Sequence, residues 1–409
     1  MKMNEKEQMT MTKIEIPSSE FTARVNRLRK LMSERQLDAC FVYGDEYRRE
    51  NLRYISNYWP LFERGAAIIP SQGEPIVLAA PEGEMVCREM SAWPDIRVIP
   101  DFACVTVPDE IDYPQANYTN FQSIFQGLKE RHSLKRIGIV GLDAMSTNVW
   151  TAIENSLENI EIVNANDLLF SLRMVKTEHE IHCLREAARM ADEGYKALLK
   201  EAAIGKTELE LAAAAHQAAM RAGAEFIPFC IVSSGKRVDT IIGRATQKVI
   251  ENGDMVMAAL AVQYEGYVAT IGFPFVVGEI SEGQKALIDL LIEAEEIALS
   301  RLRAGTKQGW LVAGVKEYFN AKAVSQYDLY PPLHGCGVAE AESPYPNEQS
   351  TDTFAVGMTV NTDISLFGHP DGSNRIEEGL IVTEEGYEAM SPLVRELCRQ
   401  WKETGKISV

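Results

Sequence analysis

Residues 253–278 read GDMVMAALAVQYEGYVATIGFPFVVG: two strand-like apolar runs on either side of the turn Tyr264-Glu265-Gly266. The pattern predicts a β-hairpin. Outside the turn no acidic residue lies between Met255 and Gly278, so neither strand offers a carboxylate. Two helical segments precede it, KTEHEIHCLREAARMADEGYKALLKEAA (176–203) and TELELAAAAHQAAMRAGA (207–224), followed by the strand-like FCIVSSG (229–235). Thr177 and Glu180 have the spacing of a capping box. Helical segments at 281–303 and 307–323 follow the hairpin, then strand-like runs at 333–339, 357–364 and 374–383. Helices mixed with non-adjacent strands predict an α+β domain.

The first half has another rhythm. FTARVNRLRKLMSERQL (21–37) repeats its apolar residues at helical spacing. ACFVYG (39–44), AAIIP (66–70), PIVLAA (75–80), IRVIP (96–100) and RIGIVG (136–141) are short apolar runs, with helical stretches such as 118–132 and 145–158 between them. Strands alternating with helices predict an α/β domain. A chain of 409 residues also exceeds one ordinary core. The expected organisation is a polar N-terminal extension (1–17), an α/β domain (18–165) and an α+β domain (166–409), with 165–177 carrying the crossover.

Composition narrows the function classes. With 46% hydrophobic and 24% charged residues the chain is globular. A formal charge of −18 argues against nucleic acid and against an anionic membrane surface as partners. No apolar run approaches the roughly 20 residues that span a bilayer. The seven cysteines are scattered, without a CxxC pair, so neither a disulfide framework nor a thiolate zinc site is expected, and a reducing cytoplasm fits.

One histidine and two carboxylates stand at the ends of separate strand-like runs: His334 in HGCG, Asp363 after VGMTVNT and Glu377 in NRIEEG. Such a trio serves either as metal ligands or as an acid–base set. With six histidines and 59 acids in the chain, spacing alone does not single it out.

The order of blocks does. GD (253–254), the hairpin, HGCG (334–337), GMTVNTDI (357–364) and NRIEEGLIVTEEG (374–386) resemble the C-terminal pita-bread domain of the methionine aminopeptidase, prolidase and creatinase superfamily. The first half resembles the creatinase/prolidase N-terminal domain, so the resemblance covers nearly the whole chain. Metallopeptidases of that superfamily hold two divalent metals with two Asp, one His and two Glu. The resemblance puts Ala259 and Thr270 at the two Asp positions, His334 at the His, and Asp363 and Glu377 at the two Glu. Two auxiliary histidine positions fall on Ile242 and Ala341. Two cations about 3.5–4 Å apart need bridging carboxylates to offset their repulsion. The resemblance therefore implies no cofactor, with one divalent cation at His334, Asp363 and Glu377 as the alternative.

Creatinase is a relative that hydrolyses a C–N bond with His and Glu side chains and no metal pair. The expectation is a creatinase-like, metal-independent hydrolase of a C–N bond in a small carboxylate-bearing amide or amidino compound. A single-metal Xaa-Pro peptidase-like hydrolase and a non-catalytic ligand-binding pseudoenzyme are the alternatives. His334 is the proton carrier, flanked by Glu377 and Asp363. Arg237, Arg244 and Arg375 are candidates for gripping a substrate carboxylate, and Thr270 and Glu342 for lining the cleft. Phe62 and Arg64 sit where creatinase offers a Phe and an Arg across a homodimer interface. Against creatinase, Gly272 stands where that enzyme has a Glu. Cys336 is weighed as a nucleophile beside His334 and as a buried apolar residue.

Overall fold

The computed structural model describes residues 15–104 and 118–407. Most of the polar extension lies outside these residues. The first domain is built on a six-stranded sheet: Ala39–Asp45 (β1), Arg64–Pro70 (β2), Ile76–Ala79 (β3), Asp95–Val98 (β4), Arg136–Val140 (β5) and Glu161–Asn164 (β6). Its order is β4-β3-β2-β1-β5-β6. β1 pairs antiparallel with β2 and parallel with β5. Six helices accompany it: Ser18–Glu34 (α1), Glu50–Ser56 (α2), Glu84–Met90 (α3), Phe121–His132 (α4), Thr147–Ser156 (α5) and Asn166–Met174 (α6). β1 is buried along nearly its whole length. A sheet covered on both faces has no reason to alternate, which is why ACFVYG is a continuous apolar run.

The second domain carries an eight-stranded antiparallel sheet. Its strands are Phe226–Ser234 (β7), Asp254–Tyr264 (β8), Tyr267–Gly272 (β9), Phe275–Val277 (β10), Leu333–Gly335 (β11), Thr359–Leu366 (β12), Asn374–Val382 (β13) and Tyr387–Ala389 (β14). The main path runs β10-β8-β9-β13-β12-β11, with β7 on β8 and β14 on β13. Its helices are Glu178–Glu201 (α7), Glu208–Arg221 (α8), Glu282–Arg301 (α9), Gln308–Ala321 (α10) and Leu393–Thr404 (α11). The expected capping box exists: Thr177 Oγ1 accepts from the Glu180 backbone while the Glu180 carboxylate accepts from Thr177 N. The predicted hairpin is β8–β9, closed by Tyr264 opposite Tyr267. Gly266 has φ 86°, a conformation that favours glycine.

Buried charge ties the domains together. Arg24 of α1 donates to the Tyr267 hydroxyl at 2.8 Å, and that hydroxyl donates to Glu180 at 2.9 Å. Arg173 at the end of α6 and Lys176 beyond it both grip Glu342, at 2.5 and 2.7 Å. All three side chains are at least 97% buried.

Asp192 of α7 is also buried and accepts a 2.8 Å hydrogen bond from the Ser391 hydroxyl. Burial pushes its pKa up to about 6, with Ser391 and Lys196 opposing and Glu396 adding to the rise. A carboxyl that holds its proton more tightly when folded stabilises the fold below its unfolded pKa, and that contribution is lost as pH rises through about 6. Asp192→Asn keeps the Ser391 contact without the titration. It should raise stability at pH 8 by about 1–3 kcal/mol and change it little at pH 4. Urea unfolding at the two pH values measures this; an equal change at both would exclude titration of Asp192 as the cause.

Candidate active site

Strand register brings the site together. Asp363 of β12 lies directly opposite Glu377 of β13, Glu377 opposite Gly272 of β9, and Gly272 opposite Ala259 of β8. One row across four strands therefore carries Ala259, Gly272, Glu377 and Asp363. Residues two apart on a strand share a face, which adds Ala261, Thr270, Arg375 and Asn361. His334 on β11 pairs with Asn361. The opposite face, with Val360, Ile364, Ile376 and Leu380, is part of the hydrophobic core. Among the polar residues on that face is Glu378, next to Glu377 but pointing to the helices. There Arg395 of α11 reaches both Glu378, at 2.7 Å, and Glu295 of α9, at 3.0 Å.

The polar face opens into a cavity of about 870 Å³ lined by His334, Glu340, Asp363, Arg375 and Glu377 at one side. Its other wall is apolar, with Leu209, Ile227, Phe229, Ile231 and Ile242. Tyr330 and Tyr345, which flank the HGCG segment in sequence, also line it.

Within the cavity Arg375 organises the carboxylates. Its Nη1 donates to Glu377 Oε1 at 2.9 Å and lies 3.6 Å from Asp363 Oδ2. Its Nη2 donates to the Ile241 carbonyl at 3.0 Å. Burial opposes the guanidinium charge, but Asp363 and Glu377 outweigh it and the pKa of Arg375 is raised. Glu377 is buried, and that burial pushes its pKa up against the pull of Arg375. Asn361 Nδ2 approaches Glu377 Oε2 at 3.4 Å. Ile241, at φ 62°, holds a backbone conformation rare for a β-branched residue. That strain aims its carbonyl at Arg375.

His334 has a defined tautomer. Its Nδ1 lies 2.9 Å from the Gly335 carbonyl, which only accepts, so Nδ1 carries the proton. Nε2 lies 3.7 Å from Glu340 Oε1. Glu340 accepts in turn from the Thr270 hydroxyl at 3.3 Å.

The residues singled out from sequence thus divide. His334, Asp363, Glu377, Arg375 and Arg244 share the cavity, and Thr270 reaches it through Glu340. Arg237 is committed to Glu208, with its Nε 3.1 Å from Oε2. Glu342 is enclosed by Arg173 and Lys176. Phe62 is 43% exposed, and Arg64 donates to the Ala103 carbonyl at 3.0 Å; neither lines the cavity. Cys336 is buried and its pKa is pushed up to about 12 by that burial, so it is a thiol rather than a thiolate. Glu340 and His216 also line the cavity and were not singled out from sequence. The signal for Glu340 was its place six residues after His334.

Comparison with known proteins gives this geometry a context. Residues 182–384 match the sequence model of Metallopeptidase family M24, and residues 24–175 that of the Creatinase/Prolidase N-terminal domain. An Xaa-Pro dipeptidase of Pyrococcus furiosus is 28% identical over 378 residues, covering 91% of this chain and 99% of that protein. An uncharacterized peptidase of Bacillus subtilis, YqhT, is 26% identical over 66% of this chain and 76% of its own length. The crystal structure of the prolidase from Pyrococcus horikoshii OT3 superposes with a TM-score of 0.77 at 22% identity, covering 90% of this chain and 97% of that one. Both the α/β N-terminal domain and the α+β pita-bread domain are confirmed.

These matches correct the expectation that no cofactor is involved, because the C-terminal domain falls in a family of metallopeptidases. The donors present still do not fit a metal pair. Ala259 and Thr270, which the sequence resemblance puts at the two Asp positions, carry no carboxylate, and no group of three or more His, Cys, Asp or Glu among the described residues is placed to hold a metal ion. For a single ion the donors would be His334, Asp363 and Glu377. Asp363 Oδ1 is buried without a hydrogen-bond partner, but the Arg375 cation already sits between the two carboxylates.

Proposed function

Because the chain belongs to the creatinase/prolidase/aminopeptidase P superfamily, we propose that it hydrolyses the C–N bond of a small dipeptide-like substrate, as an Xaa-Pro peptidase does. The observation that carries this reading is the convergence of His334, Asp363, Glu377 and Arg375 on one cavity with an apolar opposite wall. The relatives named above are dipeptidases and peptidases, which favours this reading over a creatinase-like, metal-independent one.

His334 is the proton carrier. Its Nε2 takes a proton from the attacking water and returns it to the leaving nitrogen, while the Gly335 carbonyl holds the ring in the required tautomer. Asp363 and Glu377, linked through Arg375, line the same cavity. A divalent ion, where one is bound, would polarise the scissile carbonyl. Arg244 has no ion-pair partner among the described residues and lines the cavity, so it is the free guanidinium for a substrate carboxylate. Arg375 is already engaged and serves to position its two carboxylates.

The chain is further read as a cytoplasmic homodimer in which Phe62 and Arg64 serve the cleft of a second copy. Among the described residues no helix is long and apolar enough to cross a membrane.

The reading is tested by incubating the purified protein with Ala-Pro, Leu-Pro and Met-Pro and measuring free proline, with and without added Mn²⁺, Co²⁺ or Zn²⁺. Elemental analysis of the same preparation gives its metal content. Proline release is expected. No release from any of the three, under every metal condition, would leave the chain a ligand-binding pseudoenzyme.

A further inference from the structure

We propose that Glu340 is a substrate-binding residue that recognises a cationic nitrogen. This rests on the cavity described above and deepens the peptidase reading, for which the nitrogen is the free amino group of the substrate.

Three observations carry the assignment. The first is position. A second cavity of about 590 Å³, lined by Arg49, Trp59 and Phe226, lies against the first. Four residues line both: Pro228, Glu340, Ala341 and Tyr345. Glu340 is the charged one, so its carboxylate stands where the two chambers meet.

The second is charge. Arg375 is committed to Glu377 and Asp363. Among the described residues the ion-pair neighbour of Glu340 is the His334 ring, at 3.7 Å. Its one hydrogen-bond donor there is the neutral Thr270 hydroxyl. The side chain is 26% exposed, so it is partly desolvated, with no permanent cation in ion-pair contact among the described residues. A carboxylate in that condition gains more from a bound cation than one already paired.

The third is rigidity. The Gly335 amide donates to the Pro344 carbonyl at 2.7 Å, and the Glu342 amide donates to the Gly335 carbonyl at 2.9 Å. Glu342 itself is clamped by Arg173 and Lys176. The loop that carries Glu340 is thus pinned at both ends, and a rigid carboxylate binds a cation without paying to order itself. Glu340 also lies beside Thr270, so a carboxylate reaches the region of the second Asp position from a different place in the chain.

The test compares benzylammonium with its neutral counterpart benzyl alcohol by calorimetry on the full chain and on E340Q, which keeps an acceptor for Thr270. The wild-type protein should prefer benzylammonium by about 10–100-fold, the range of one hydrogen bond to a charged group, and E340Q should lose that preference. With Ala-Pro as substrate, E340Q should raise KM by a similar factor and change kcat far less. Equal affinity for the two probes in the wild-type protein, or a preference that survives in E340Q, overturns the proposal. Mn²⁺ binding that disappears in E340Q while the benzylammonium preference remains would assign the carboxylate to a metal ion instead, and also overturns it. Absence of Ala-Pro turnover would defeat the peptidase reading alone, since the probe comparison does not depend on catalysis.

Discussion

Arg375→Met should lower the free energy of unfolding by about 3–5 kcal/mol, the usual consequence of removing one partner from a buried ion pair. Arg375 is 6% exposed, and its guanidinium holds two carboxylates that strand register places directly opposite each other. Methionine fills a similar volume but leaves Asp363 and Glu377 with like charges in contact and no cation. It also frees the Ile241 carbonyl, whose strained backbone is held by Arg375 Nη2. The double variant with Glu377→Gln should recover part of the loss, because one of the two charges is then gone. Urea unfolding of the wild type, both single variants and the double variant closes the cycle. A loss below about 1 kcal/mol for Arg375→Met, the range of an exposed pair, would mean that the cluster is solvated rather than buried.

His334→Ala should reduce kcat/KM by about 10²–10⁴-fold, the range supplied by a positioned proton carrier, with little change in stability. Two neighbouring groups are poorly placed to replace it. Glu340 is offset by 3.7 Å and fixed to Thr270, and the thiol of Cys336 is buried with its pKa near 12. His334→Asn should not rescue activity, since its amide cannot accept and return a proton near neutral pH. A variant retaining more than a tenth of the wild-type rate would remove His334 from the proton-carrying role.

Much of the fold was readable because apolar runs report burial directly. The hairpin, the capped helix at 178–201 and most sheet strands stand within a few residues of their expected places. Exceptions have local causes. The run at 333–339 ends as a strand at Gly335, because the chain turns back there to pair with Glu342. The helix Leu393–Thr404 was not read, although Leu393, Val394, Leu397, Cys398 and Trp401 give it a clear buried stripe.

The site was legible in part. His334, Asp363 and Glu377 converge because each ends or crosses a strand of one sheet, which motif order can report. Arginine roles could not be read the same way. Arg237 and Arg244 look equivalent in sequence, yet Glu208, brought in by the helix at 208–221, captures the first and leaves the second in the cavity. Glu340 and Glu342 stand two apart in AEAES, but one faces the cavity and the other is sealed against the linker. Such fates depend on partners far along the chain, which a local pattern does not contain.

Glu377 and Glu378 are consecutive, so a single strand presents one acid to the cavity and the next to the helices behind the sheet. A wall one residue thick insulates poorly. Charge placed on the rear side, by altering Arg395 or Glu295, should therefore tilt the potential felt by a ligand on the front. Directed evolution of this protein would do well to diversify that rear cluster, because it can retune the site without touching a single surface that the ligand meets.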